Sequence, residues 1–173
     1  MPIKDWADGE RPPASDLNRY PLQQVHVIKA ADESIASSTT MQNDDHLFVE
    51  VEAGTDYWLQ AYLIYEGAGE PGGDFKVGWL APSGTTLDWM SDSFASTATA
   101  TSGAVSRTYQ TLTSLPAPGT QGAGVGLVCM PRGVLRIGGT AGTLRLRWAQ
   151  NISSATPTIL RAGSMLRLRR LTT

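Results

Sequence analysis

The stretch from Gly142 to Leu171 limits the fold more than any other, because apolar and basic residues alternate along it with a period of two. Leu144, Leu146 and Trp148 alternate with Arg145 and Arg147, and Leu166 and Leu168 alternate with Arg167 and Arg169. Successive side chains of a strand point to opposite faces, so each run sends its leucines one way and its guanidiniums the other. With the turn-like run Asn151 to Pro157 between them, the two runs predict a closing hairpin. One of its faces is buried and the other is wet and basic.

The same reading extends upstream. Val25 to Lys29 alternates as a first strand, Asp32 to Asp45 reads as a polar loop or irregular edge, and Leu47, Val49 and Val51 form the apolar side of the next strand. Tyr57 to Tyr65 is apolar or aromatic on both faces, as a central strand covered on both sides should be. Phe75, Val77 and Trp79 form an inward set, and Leu87 and Trp89 another. Ser91 to Ser106 is built from small residues and reads as a long loop or weak edge strand, while Arg107 to Leu112 is extended. Val125 to Met130 and Val134 to Ile137 are short buried strands separated by Pro131-Arg132-Gly133. Short strands with turn signals at roughly 8–12 residue spacing predict an all-β protein, specifically an antiparallel, jelly-roll-like β-sandwich over residues 25–173.

Residues 1–24 read differently. Arg11-Pro12-Pro13 is extended because proline fixes φ, and Ser15 is a suitable N-cap for one short helix from Asp16, with Leu17 and Tyr20 as its apolar stripe. Pro21 ends that helix. This segment predicts an attachment arm, with Trp6, Leu17, Tyr20 and Leu22 as its contact residues.

Charge is distributed unevenly. All sixteen Asp and Glu lie at or before Asp92 in the company of five basic residues, whereas nine arginines and no acid follow. Two arrangements account for this polarity: acidic and basic strands neutralise each other as neighbours, or the basic face, with Arg145, Arg147, Arg167 and Arg169, meets an acidic partner surface. The second predicts self-association in a closed ring such as a homotrimer. Nucleic-acid binding is not expected, since the arginines sit singly along strands without a Lys-rich loop or aromatic interleaving. No window approaches the ~18 apolar residues of a membrane span, so membrane insertion is not expected either. The polar start points to a soluble chain made in the cytoplasm.

Few constellations could carry chemistry. Gln42-Asn43-Asp44-Asp45-His46 gathers metal-capable side chains but lacks the spacing and distal Glu of a calcium loop, so no metal site is predicted. Gly119 to Gly126 is glycine-rich without the Lys-Ser/Thr pair of a phosphate loop, and no Gly-x-Ser-x-Gly elbow is present. Nothing selects a carboxylate pair for glycoside cleavage among Asp44, Asp45, Glu50, Glu52, Glu66 and Asp74. The expectation is a non-enzyme without a cofactor. Cys129 reads as a small buried apolar side chain, and most of the aromatic rings read as core. Trp58 and Trp89 are the candidates for a glycan-stacking platform.

Two segments resemble a known family. Asp5-Trp6-Ala7-Asp8-Gly9-Glu10, followed by Ala14-Ser15-Asp16-Leu17-Asn18-Arg19-Tyr20, resembles the N-terminal arm of small bacteriophage virion proteins. Gly142 to Asn151, with Arg161-Ala162-Gly163-Ser164 before the last strand, resembles the C-terminal hairpin of structural proteins from phages of actinobacteria. Pro21 departs from the pattern, in which the helix runs on into the Gln-Gln pair. The resemblance implies a structural protein on the particle exterior, a capsid decoration or head-fibre protein joined through its arm to the major capsid protein or other virion proteins. Its alternatives are a minor tail or tail-fibre protein, and a carbohydrate-binding module for host-surface glycans.

Overall fold

The computed structural model describes residues 24–69, 74–96 and 103–171, together with Gly9 and Arg11. The predicted arm helix and its contact residues Trp6, Leu17, Tyr20 and Leu22 lie outside the described residues. Those that are described form strands and connections with no helix. In chain order the strands are β1 (Gln24–Ile28), β2 (Glu33–Ile35), β3 (Gln42–Val51), β4 (Asp56–Gly67), β5 (Phe75–Leu80), β6 (Thr86–Met90), β7 (Ser93–Phe94), β8 (Val105–Ser106), β9 (Gln110–Thr111), β10 (Gly122–Cys129), β11 (Arg132–Arg136), β12 (Gly142–Gln150), β13 (Thr158–Leu160) and β14 (Met165–Arg170). Every pairing between them is antiparallel.

Strand β4 is the spine. Its residues bond to β11 and β10 along one edge and to β14 and β13 along the other. Both flanks are strands broken in two. Between β10 and β11 the break falls at Pro131, which has no N–H to give; its carbonyl still accepts from Ala61 N at 2.8 Å, while Met130 N turns away to Asp92 O. On the other side Gly163, at φ 84°, turns the chain between β13 and β14. The prolonged sheet runs β1-β14-β4-β11-β6-β9, and a smaller sheet runs β3-β12-β5.

The inward residues of both sheets belong to one core. Leu59, Leu63, Leu135, Leu166 and Leu168 come from the large sheet, and Leu47, Val77, Leu144, Leu146 and Trp148 from the small one. Ring contacts cross between the sheets: Tyr65 stacks on Phe75 with centroids 4.7 Å apart, and Trp79 meets Trp89 edge-on at 6.0 Å. Such pairs add about 0.5–1.5 kcal/mol each beyond the area they bury.

Three expectations from the sequence change. The closing hairpin does not form, because β12 belongs to the small sheet and β14 to the large one. Alternation sets which face of a strand is buried but not which strand it pairs with, and β13 intervenes by bonding to β4 and β2. Asp32 to Asp45, read as a loop or irregular edge, is an edge and more regular than expected, since it contains β2, paired among the described residues only with β13, and the start of β3, an end strand of the small sheet. Arg132 and Gly133 belong to a strand and not to a turn.

Candidate functional site

Burial of Tyr57, Leu59, Ala61, Leu63 and Tyr65 turns the alternate residues of β4 outward. Register then lines up neighbours across the outer face of the large sheet. Arg169, Trp58, Val134, Asp88 and Thr111 form one row, and His26, Arg167, Gln60, Arg132 and Met90 form the next. Arg167 donates to Gln60 Oε1, which fixes that guanidinium over β4.

At the β6 end of this face lies a recess of about 300 Å³, lined by Trp58, Asp88, Trp89, Arg107, Tyr109 and Arg132 among others. Two carboxylates organise its polar side. Asp88 accepts from the Tyr109 hydroxyl at 2.7 Å and from Arg136 Nη1 at 2.6 Å. Those two hydrogen bonds hold its carboxyl below the ordinary aspartate range. Asp92, buried at 5% exposure, accepts from Arg107 Nε at 2.8 Å and from Arg132. The Arg107 bond is the largest influence on it and, with the two guanidinium charges, outweighs burial to keep its pKa low. Asp92 also sits at φ 42°, a left-handed conformation that aspartate tolerates better than most residues.

Chemically, this is an aromatic wall beside fixed acceptors and a guanidinium rim, an arrangement suited to a polyhydroxylated ligand. It is poorly set for glycoside cleavage. That reaction needs one carboxylic acid with a raised pKa, and both carboxyls here are held ionised.

The sequence-predicted residues divide. Trp58 stands on the outer face and lines the recess. Trp89 lines it too, but at 3% exposure, packed against Trp79 and bonded through Nε1 to Thr111 O, it offers no face for stacking. Arg167 and Arg169 share the outer face of the large sheet with Trp58. Arg145 and Arg147 lie on β12, where Arg145 stacks over Phe48 at 4.3 Å and Arg147 donates to Met41 O. The single basic face is therefore two faces on two sheets. Folding also explains the charge polarity. Arg107, Arg132, Arg136, Arg161 and Arg170 bridge to Asp92, Asp88, Glu66, Asp32 or Glu52, all in the acidic first part of the chain. Arg145, Arg147, Arg167 and Arg169 have no carboxylate partner among the described residues.

Asp88, Arg107, Tyr109 and Arg132 escaped sequence reasoning. They come from three segments, β6, the connection into β9 and β11, that only the β11–β6–β9 register brings together. Cys129 is buried, with its thiol pushed upward by burial and by the Asp92 charge, and donates to Ser91 O.

A second cluster lies where β1, β2 and β3 meet. Ligand atoms of Glu33, Asp44 and His46 lie within 4.8 Å of one another. The cation among them belongs to the chain: Lys29 Nζ is 2.6 Å from Asp44 Oδ2, 2.7 Å from Glu33 Oε2 and 3.4 Å from His46 Nδ1. The Lys29 and Asp44 side chains are both fully buried. Asp44 Oδ1 accepts the N–H groups of His46 at 2.9 Å and Leu47 at 2.6 Å. Burial alone would raise the pKa of Asp44, but the bond to Lys29 and these two N–H donors together reverse the shift and lower it.

Among the described residues no helix is long and apolar enough to cross a membrane. No protein-family model and no curated protein matches the sequence. Among solved structures, the chain matches the tripod from the baseplate of bacteriophage Tuc2009 with a TM-score of 0.35 and 15% identity, over 99% of this chain and 75% of that one. It also matches infectious bursal disease virus, Gx strain, with a TM-score of 0.35 and 10% identity, over 84% of this chain and 33% of that one. The Gt strain of the same virus matches with a TM-score of 0.27 and 10% identity, over 87% of this chain and 38% of that one. Superpositions this loose define neither fold family nor function.

Proposed function

We propose that this chain is a non-enzymatic structural protein of a bacteriophage particle, carried on the exterior as a capsid decoration or head-fibre protein. In this reading residues 1–24 attach to the particle, and the two sheets are the layers of a jelly-roll-like sandwich that projects outward. The observation that carries it is the coexistence of the arm motifs, Asp5 to Glu10 and Ala14 to Tyr20, with an all-β body. Arg145, Arg147, Arg167 and Arg169, which have no carboxylate partner among the described residues, are the surface groups for neighbouring copies in a homotrimer or for acidic virion partners. Removing residues 1–24 leaves a folded body that no longer joins the particle. Full incorporation of the truncated chain overturns the assignment, and particle location by labelled electron microscopy separates head attachment from a minor tail or tail-fibre position.

The recess beside Trp58 favours a second reading, host-surface glycan binding. Saccharide binding on an array that disappears in Trp58→Ala, with the fold intact, supports it; an array with no hit removes it.

A further inference from the structure

The Lys29 cluster has the parts of a self-made covalent bond. We infer that Lys29 and Asp44 condense to an intramolecular isopeptide cross-link, with Glu33 as the proton carrier and the backbone N–H groups of His46 and Leu47 as the oxyanion site. This goes beyond the virion reading and does not depend on it.

The geometry supplies each requirement. The nucleophile and the electrophile are both sealed from water, so neither is diluted by solvent and the amide once formed is sheltered from hydrolysis. Lys29 Nζ touches Asp44 Oδ2 at 2.6 Å, so the nitrogen already stands beside the carboxyl carbon that it must attack. Oδ1, the oxygen that stays, points at two backbone donors, the arrangement that stabilises a tetrahedral oxyanion. Glu33 Oε2 touches the same ammonium at 2.7 Å.

The ionised pair is the resting form. Transfer of one proton from the Lys29 ammonium to Oδ2 leaves a neutral amine and a neutral acid. The amine lone pair forms the C–N bond, and negative charge collects on Oδ1. Glu33 takes a second proton from nitrogen and returns it to Oδ2, the C–Oδ2 bond breaks, and that oxygen leaves as water. The third proton remains as the amide N–H. No oxidant, reductant or co-reactant is consumed.

Lys29 follows β1 of the large sheet and Asp44 lies in β3 of the small one, so the bond would bolt the two sheets together. The test is the intact mass of the purified full chain under denaturing conditions. The expected mass is one water below that of the sequence, with digestion yielding a branched peptide joining Lys29 to Asp44. Lys29→Arg and Asp44→Ala restore the full mass. Glu33→Gln, which keeps the shape of the pocket, forms the branch far more slowly. A folded wild-type chain at full sequence mass overturns the inference, as does a water loss that maps elsewhere, such as a succinimide at Asp8-Gly9.

Discussion

The Lys29 cluster and the Asp88–Asp92 recess use the same ingredients, carboxylates held by cations, and differ in their exposure to water. At Lys29 both charged partners are fully buried, and every oxygen of Asp44 has a fixed donor. In the recess Asp92 is buried, but its partners Arg107 and Arg132 remain 67% and 39% exposed, and Asp88 and Arg136 are about half exposed. Coulombic attraction weakens several-fold between a dry interior and a wet surface. The first cluster is therefore a dry, fixed constellation, whereas the second is a set of charges open to solvent.

Four measurements sharpen or break this contrast. Lys29→Met leaves Asp44 buried without its partner, ionic or covalent, and should cost about 3 kcal/mol or more, read as a fall in the denaturant midpoint; an unchanged slope marks loss of the ion pair, and a steeper one marks loss of a cross-link that had restrained the unfolded chain. A change below ~1 kcal/mol would place this cluster with ordinary surface pairs. Gly133→Ala should cost about 1–3 kcal/mol by overpacking. A Cβ there would meet the Asp88 carbonyl oxygen and stand 2.6 Å from Trp89 Cβ, forcing β6 away from β11 and opening the recess.

The third measurement is stability against pH. The folded pKa of Asp92 lies below its unfolded value near 3.9, so its contribution is present above that value and disappears as pH falls through the folded one. The midpoint should hold from neutrality to about pH 5 and drop below about pH 4, and Asp92→Asn should flatten that limb. Asp44 follows the same sign while it is ionic, but once joined to Lys29 it binds no proton and drops out of the acid limb. The smallest effect belongs to Tyr109→Phe. It loses one exposed bond to Asp88 and should leave the denaturant midpoint almost unchanged, while altering any saccharide affinity of the recess.

Much of the core was legible in residue order because a buried strand face repeats every two positions. Leu144, Leu146, Leu166 and Leu168 are all fully buried, as their spacing requires. Partnering was not legible: nothing in the Arg145 and Arg167 runs says that they belong to different sheets, since identical alternation suits either. Trp58 was singled out as an aromatic ring, but on a strand expected to be covered on both faces; the second face of β4 is in fact outward, with Tyr62 41% exposed, because paired strands flank it and no layer among the described residues covers that side. Tyr109 was not singled out, because it precedes a strand of only two residues and acquires its role from Asp88 across the sheet. Lys29 was read as one more residue of the first strand. Its importance comes from Asp44, fifteen positions away, and a lysine inside a core leaves no periodic mark.

The spine strand has a consequence for the order in which the molecule is made. Residues 56–67 appear early on the ribosome, yet both of their edges are completed by segments lying between Gly122 and Arg170. Until those segments emerge, the most apolar strand of the protein has two open edges, which is the condition under which nascent chains pair with one another. Both edges of β4 therefore close only after the second half of the chain has been made, which places its pairing among the late, long-range steps of folding.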